Sequence, residues 1–505
     1  MTSKIGNVPN SCTNSSKNKI SSEFMSPLVI RADASSQRGT GHVMRMLALA
    51  QAWRRRGGDV IFLTAECPQP LADRIIAEEF THRLIKCQNP GDSEDASATI
   101  EVASDWLILD GYHFTSDYQS RCRKAELKIL CVDDFGHCVY WDCDILLNQN
   151  LGAIPYPNAP ATSLFGIPFA LLRQEFLNHP RATEPWSRLK KLLITLGGSD
   201  PPNGTGHALK LLSALDCTEL EIRVIIGPSN PHHDTLKALK FPFKVQWRES
   251  VTDMPTEYAW ADGVISAGGS SCWEWLYFGL PGAVITIADN QEPVVKELKN
   301  EAAAFCPGWP ADWTDSTSLS RWIENPADFI NREHVSSLVD GRGADRVAAH
   351  LDGTGCLIRT TDPVLDRQFT FDLVNAPSVR FAGYATDRIP WDDHCAWLQR
   401  HNQSPDSILF IIETTNQEPV GSLRFHRLKD SWEIGIALAA TARGKGFADH
   451  GLRLGMNELS LLRGIHHFTA TIRPSNTPSK NLFTRLGFCR ETSDDEREIW
   501  TFENL

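Results

Sequence analysis

No stretch of this 505-residue chain is apolar for long enough to cross a membrane, and no Cys-x-x-Cys pair occurs among its thirteen cysteines. The first absence removes a bilayer anchor. The second, with the odd cysteine count, fits reduced thiols in a cytosolic protein and leaves no metal site expected, although Cys138 and Cys143 lie close together. Positive charge is scarce as well: 50 Lys and Arg stand against 62 Asp and Glu, a net charge of −12. An acidic chain repels nucleic acid and anionic membranes, so Arg54-Arg55-Arg56 reads as a solvated helix end. Residues 1 to 24 are rich in Ser, Asn and Lys and lack the hydrophobic core of a signal peptide. A disordered tail is expected over 1–26, and Met25 is a possible alternative start.

The length sets a prior of about three domains, and the 42% hydrophobic and 22% charged composition is that of a globular protein. The most informative stretch is Leu28 to Leu63. Leu28-Val29-Ile30 reads as a buried strand, and the polar, glycine-rich segment from Ser35 to Gly41 ends it. From His42 to Arg56 apolar residues recur at helical spacing, Gly57-Gly58 closes the helix, and Val60 to Leu63 supplies the next strand. Gly39 and Gly41 therefore sit at a helix N-terminus, where backbone amides can approach an anion. The spacing Gly39-Thr-Gly41-His42 differs from the dinucleotide Gly-x-Gly-x-x-Gly. A lone histidine commonly only caps a helix or fills a gap, but this one opens the helix beside the glycines, which makes His42 the candidate general base.

Further strands end in polar residues: Trp106 to Leu109 in Asp110-Gly-Tyr112, Lys128 to Val132 in Asp133-Asp134, Ile145 to Leu147 in Asn148-Gln-Asn150. In a parallel sheet such carboxyl ends line one crevice. A second α/β unit starts with Lys191 to Leu196 and Gly197-Gly-Ser-Asp200, and continues through Ile222 to Ile226 and Gly263 to Ser266. There Gly268-Gly269-Ser270-Ser271, with Glu274 one turn on, suits a diphosphate and two ribose hydroxyls. The next strand, Ala283 to Ile287, ends in Asp289-Asn290-Gln291.

Arg31-Ala-Asp33, Gly39-Thr-Gly-His42-Val-Met-Arg45, Asp110-Gly-Tyr112, Asp133-Asp134, Leu171-Leu-Arg173, Gly268-Gly-Ser-Ser271 with Glu274, Asn290-Gln291 and Asp340-Gly-Arg-Gly-Ala-Asp-Arg346 occur here in an order that resembles the UDP-sugar hydrolases of pseudaminic acid biosynthesis, relatives of the two-domain GT-B glycosyltransferases. The resemblance spans about residues 27 to 352. It implies hydrolysis of UDP-2,4-diacetamido-2,4,6-trideoxy-β-L-altropyranose to the free sugar and UDP without metal, with His42 matching the catalytic base. UDP contacts are then expected from Gly39, Gly41, Arg173, Gly268, Gly269, Ser270, Ser271 and Glu274. Sugar contacts are expected from Asp33, Arg45, Asp110, Tyr112, Asn290 and Gln291.

After Gly353-Thr-Gly the pattern changes to mixed strands and helices. Ser431 to Leu438 reads as a strand, followed by Arg443-Gly444-Lys445-Gly446-Phe447-Ala448 and a helical run. Arg443, Gly446 and Ala448 resemble the pyrophosphate loop of the GNAT N-acetyltransferases. Asn476, Ser479, Asn481 and Gly487-Phe488 resemble that family's closing motif, which implies acetyl-CoA as cosubstrate held by Arg443 to Ala448, Asn476, Ser479 and Asn481. Asn375 to Arg380 and His394 to Trp397 look like the subgroup that acetylates UDP-4-amino sugars, although His394 and Trp397 also fit simple helix packing. Phe483 occupies the position where many of these enzymes carry a tyrosine that protonates the leaving thiolate, and Glu433 and His426 are candidate bases.

The expected architecture is α/β: a GT-B-like pair of Rossmann-like domains, 27–185 with His42 and 186–352 binding UDP, then an α+β GNAT domain over 356–505. The expected activity is bifunctional, N-acetylation of a UDP-4-amino sugar and removal of UDP from the product, in the cytoplasm, with small-molecule substrates, no permanently bound cofactor, and no nucleic-acid or membrane partner. The alternatives are a GT-B glycosyltransferase, or one domain serving as a non-catalytic nucleotide or acyl-CoA module.

Overall fold

The computed structural model describes residues 26–503 except 36–37, 182–183, 216–218, 250 and 385, so the tail expected over 1–26 lies outside the described residues but for its last position. The chain divides into two compact units, one built of Met25–Arg54 and Gly58–Gly353, the other holding Thr354–Leu505.

The first unit contains two parallel sheets. Strands β1 (Leu28–Ala32), β2 (Val60–Thr64), β3 (Thr81–Leu84), β4 (Trp106–Asp110), β5 (Lys128–Val132), β6 (Ile145–Asn148) and β7 (Thr162–Phe165) are ordered β3-β2-β1-β4-β5-β6-β7. Every residue of β1 and β4 is buried, as central strands covered by helices on both faces require. Strands β8 (Lys191–Thr195), β9 (Glu221–Ile226), β10 (Val245–Glu249), β11 (Gly263–Ala267), β12 (Gly282–Ile285) and β13 (Phe305–Gly308) form the second sheet in the order β10-β9-β8-β11-β12-β13. These are the two Rossmann-like domains expected. In each sheet the order reverses once, between β1 and β4 and between β8 and β11. A crevice opens outside the strand ends at such a point.

Local boundaries follow capping and side-chain capture. The first helix is Gly41–Arg55. Strand β12 stops at Ile285, two residues earlier than the apolar run, because the Ile287 amide donates to Gln291 Oε1 (3.1 Å) instead of to a neighbouring strand.

The second unit is a mixed sheet of β14 (Cys356–Thr360), β15 (Ser407–Thr414), β16 (Pro419–Leu428), β17 (Ser431–Leu438), β18 (His467–Ile472), β19 (Cys489–Ser493) and β20 (Glu498–Glu503), ordered β14-β15-β16-β17-β18-β20-β19. All neighbours are antiparallel except β17 and β18, which run parallel. Leu423, Phe425, Ile434 and Phe468 face Leu452, Met456 and Leu459 of the 17-residue helix Phe447–Arg463 in one apolar core.

Candidate active sites

In the first unit a cleft of about 170 Å³ is lined by Arg38, Gly41, His42, Arg45, Tyr112, Asp134 and Asn150 from the first domain and by Gly268, Gly269, Ser270, Asn290, Gln291 and Val294 from the second. It lies at the switch points of both sheets. His42 enters it from the first turn of Gly41–Arg55, directly after β1. Parallel pairing sets Ala32 of β1 against Asp110 of β4, and this register carries the Asp110 carboxylate to His42: Oδ1 lies 2.7 Å from Nδ1. With Nδ1–H donating to Asp110, Nε2 is the ring nitrogen left for a ligand. The 3.3 Å approach of Arg45 Nη2 to Nδ1 is then a packing contact between two donors.

Arg45 grips Asp110 through two bonds, Nε to Oδ2 (2.7 Å) and Nη2 to Oδ1 (2.6 Å), and reaches both oxygens of Asp134 from Nη1 at 3.0 Å. Asp134 also accepts from Tyr112 Oη (2.6 Å) and Asn150 Nδ2 (3.1 Å). Burial works to raise Asp110, but the charge of Arg45 and the contact with His42 outweigh it and hold the carboxyl at about 2. Burial and Asp134 push the Tyr112 phenol well above its ordinary range, so it remains a donor. The Tyr112 ring stands edge-on to His42 with centroids 5.2 Å apart. The result is a rigid, ion-paired floor beneath one imidazole.

Opposite stands the turn after β11. The Gly268 amide donates to Gln291 Oε1 (3.2 Å), the same oxygen that accepts from Ile287, so Gln291 lines the cleft while its carbonyl pins the turn. A Cβ on Gly268 would lie 2.5 Å from Val295 Cγ2, whereas one on Gly269 would meet nothing within 4 Å. Gly268 is there for packing, and Gly269 leaves room at the turn for a ligand.

Other expected contacts lie elsewhere. Asp33 is a correction: it does not line the cleft, because its carboxylate is consumed internally by Arg31 (2.6 Å), His113 (3.1 Å) and the amides of Ala65 and Glu66. Arg173 and Glu274 face each other at 3.2 Å, with Arg173 also on Glu175 and Glu274 beside Tyr258 Oη. Burial raises the Glu274 carboxyl although Arg173 opposes it. Glu274 belongs to the helix Ser271–Tyr277 that the glycine-serine turn opens, and neither residue is among those lining the cleft. Ser271 Oγ lies 3.4 Å from Ser266 Oγ, at the first position of that helix. Gly39 adopts φ +73° and closes onto Ser35 through its amide, shaping the approach to His42. Arg38 and Val294 line the cleft without having been expected there. Only the position of Arg38 inside the glycine-rich turn signalled it.

In the second unit, parallel pairing of β17 with β18 is confined to Trp432↔Phe468 and Glu433↔Thr469. Beyond these the strands part, and the β17 backbone from Ile434 onward faces a wedge, able to pair with an extended ligand. At its end Gly446, at φ +85°, caps helix Phe447–Arg463 without a side-chain bond, so the helix N-terminus presents open amides to an anion. Gly444, Lys445 and Gly446 are exposed, and Phe447 and Ala448 pack on the core. Arg443 Nη2 holds Ser378 Oγ (2.8 Å) and the Leu438 carbonyl. Asn476 Oδ1 caps its helix through the Ser479 amide (3.2 Å), and Asn481 is exposed. The loop and wedge fit a pyrophosphate followed by an extended arm. Phe483 is buried against Phe488, centroids 4.9 Å apart. His394 is buried, its Nε2 3.0 Å from Thr370 Oγ1 and its ring stacked near Trp397, a packing role.

Fold and sites together define an α/β unit of two parallel sheets with a cleft at their switch points, followed by a mixed sheet opened as a wedge. Residues 193–307 match the model of the glycosyltransferase family 28 C-terminal domain, and residues 357–489 match that of the acetyltransferase (GNAT) domain. An uncharacterised protein of Methanocaldococcus jannaschii is 25% identical over 94% of this chain and 99% of its own. The spore coat polysaccharide biosynthesis protein SpsG of Bacillus subtilis is 25% identical over 64% of this chain and 96% of its own. The UDP-2,4-diacetamido-2,4,6-trideoxy-β-L-altropyranose hydrolase of Campylobacter jejuni is 28% identical over 41% of this chain and 71% of its own. Among solved structures, spermidine N-acetyltransferase from Vibrio cholerae in complex with CoA and spermine is 16% identical and covers 29% of this chain and 94% of that one, with a TM-score of 0.27. The chain thus joins a region related to a UDP-sugar hydrolase to a GNAT acetyltransferase domain, which implies acetyl-CoA as cosubstrate. Among the described residues no helix is long and apolar enough to cross a membrane.

Proposed function

We propose that the chain acts in nucleotide-sugar biosynthesis, acetylating the amine of a UDP-4-amino-4,6-dideoxy sugar in its C-terminal unit and hydrolysing the diacetamido product to free sugar and UDP in its N-terminal unit. The observation that carries the hydrolytic step is the His42–Asp110 pair in a cleft whose other wall is the Gly268–Ser270 turn. Asp110 fixes the tautomer in which Nε2 is unprotonated. Water then gives its proton to Nε2 as its oxygen attacks C1, and the bond from C1 to the phosphate oxygen breaks with its electron pair leaving on UDP. Attack opposite the leaving group inverts C1. The developing charge on UDP is met by the Ser270 and Ser271 amides where the turn enters its helix, since the Gly268 amide donates to Gln291 Oε1 and the Gly269 amide to the Ala267 carbonyl.

Arg45 is held by two carboxylates, so its part is to position Asp110 and the sugar side of the cleft rather than to bind phosphate as a free cation. Tyr112 and Asn290 stand at opposite walls and serve the acetamido groups. The Arg173–Glu274 pair holds the helix that follows the UDP turn. The relationship to the Campylobacter jejuni hydrolase supports the choice of substrate.

The test is UDP release from UDP-2,4-diacetamido-2,4,6-trideoxy-β-L-altropyranose by wild type and His42→Ala without added metal or acceptor, then from the 4-amino precursor with and without acetyl-CoA. Wild type should release UDP from the diacetamido compound, and His42→Ala should lose about 10²- to 10⁴-fold. Release from the precursor should require acetyl-CoA. UDP release only on addition of a sugar acceptor would make the unit a transferase and overturn the reading.

A further inference from the structure

Directly opposed residues of neighbouring strands share a face of a sheet and lie about 5 Å apart. In the GNAT unit such a row crosses four strands: Ser407 of β15 opposes His426 of β16, His426 opposes Glu433 of β17, and Glu433 opposes Thr469 of β18. Leu423, Phe425 and Ile434 occupy the other face, in the core, so this polar row lies on the face turned away from helix Phe447–Arg463. One end is where β17 and β18 part to form the acyl-carrier wedge. There Glu433 accepts from Thr471 Oγ1 (2.7 Å), and the Thr469 hydroxyl is buried without a partner. The other end is a hydrogen-bonded chain. Ser407 Oγ lies 2.6 Å from His401 Nδ1 and 3.0 Å from His426 Nδ1, and Ser407 is itself buried.

A serine hydroxyl between two imidazole nitrogens can accept from one and donate to the other. Reversing both bonds moves one proton the length of the chain. We propose that His401, Ser407 and His426 are a proton relay that takes the proton lost by the acceptor amine at the Glu433 end of the row and delivers it to the opposite edge of the sheet. This rests on the acetyltransfer reading above.

The balance is as follows. An amine substrate arrives as R–NH3+ and gives one proton to His426 Nε2. The Nδ1 proton of His426 passes to Ser407 Oγ as the Ser407 hydroxyl proton passes to His401 Nδ1, and the proton leaves from His401 to solvent. The amine lone pair attacks the thioester carbonyl, and the C–S bond breaks with its electrons on sulfur. The second N–H proton ends on the thiolate. The sum is amide, CoA thiol and one released proton.

The surroundings of His401 favour release of the proton at that end. Burial first, then Arg424 of β16, His426 and Arg400 of helix Trp391–Gln403, hold His401 below its ordinary value, so a proton arriving there is passed on. Glu433 of β17 is the carboxyl group on the other side of His426, and Asp372 of helix Arg367–Asn375 is exposed with Gln368.

The experiment compares Ser407→Ala, Ser407→Thr and wild type in the full chain by two readouts. In acetylation of a UDP-4-amino-4,6-dideoxy sugar, Ser407→Ala should lower kcat about tenfold at pH 7, with the deficit shrinking as pH rises and the amine deprotonates in solution, and with KM for acetyl-CoA unchanged. Ser407→Thr, which keeps the hydroxyl, should restore kcat. Imidazole NMR titration of histidine-labelled protein should show His401 and His426 titrating as a linked pair in wild type and independently in Ser407→Ala. A kcat–pH profile of Ser407→Ala parallel to that of wild type, or unlinked titration in wild type, overturns the relay. If wild type acetylates no such sugar, the functional reading falls and the linked titration alone decides the relay.

Discussion

The Asp110 carboxylate meets His42 Nδ1 at 2.7 Å across 68 residues of sequence, and the same carboxylate carries both remaining prongs of Arg45. Asp110 therefore holds the imidazole in one tautomer and neutralises a buried guanidinium. Asp110→Asn keeps the shape but lets the amide present N–H or oxygen to Nδ1. UDP release should fall by at least about tenfold, and the loss of one counter-ion from buried Arg45 should cost about 3 kcal/mol. Arg45→Met should cost stability in the same direction by stranding Asp110. Chemical denaturation and UDP-release kinetics on the same preparations check both.

Acid stability follows from the same carboxyl. Its value in the folded chain, about 2, lies below the 3.8 of a free aspartate. A depressed carboxyl contributes stability that is complete above the unfolded value and is lost as pH falls through the folded one. The contribution, about 2 kcal/mol, should be constant from pH 7 to pH 5 and fade between pH 4 and pH 2. Guanidinium midpoints of wild type and Asp110→Asn should therefore differ by a constant amount at neutral pH and converge in acid. A gap that stays constant down to pH 2.5 would show that Asp110 is not the group responsible.

The parts of this molecule that follow from local rules were legible in the sequence. β-Branched runs ending in Asp, Asn or Gly marked the parallel strands and their carboxyl ends, and a histidine opening a helix after a glycine turn marked the cleft. What pairs with what was not legible, because it depends on strand order. Asp110 reads as a ligand-facing carboxylate until β4 is placed beside β1. Asp33 looks equivalent to it, but Arg31 lies on the same strand end and His113 arrives from the β4 turn to absorb it. Arg173 and Glu274 each read as contacts for UDP, yet each is the other's counter-ion. The relay around Ser407 needs the packing of helix Trp391–Gln403 on β15 and the β15–β16 register, and no local motif announces either.

Two adjacent glycines separate packing from binding. On Gly268 a methyl would collide with Val295 and press on Gln291 Cβ at 3.2 Å, while on Gly269 it would meet open space. Gly268→Ala should destabilise the first unit by about 1–3 kcal/mol and loosen the turn that Gln291 pins. Gly269→Ala should leave the denaturation midpoint within about 0.5 kcal/mol of wild type and raise KM for the UDP-sugar by narrowing the cleft. Thermal denaturation with KM measurements distinguishes the two, and equal stability losses would refute the assignment.

Gly446 permits the most selective test, because it belongs to the second compact unit while His42 belongs to the first. Its φ of +85° is a left-handed conformation that an L side chain adopts at a cost of about 1–2 kcal/mol, and a Cβ would also press on the His450 ring at 3.2 Å. Gly446→Ala should therefore rotate the loop amides away from the N-terminus of helix Phe447–Arg463, which the cap leaves open. KM for acetyl-CoA should rise about tenfold, the scale of one lost charge-assisted hydrogen bond. UDP release from the already acetylated sugar nucleotide should be unchanged. Measured on one preparation, a rise in the first with no change in the second assigns the two chemistries to separate units. A parallel loss of both would mean that the loop supports the hydrolytic cleft as well, and the division of labour would have to be redrawn around it.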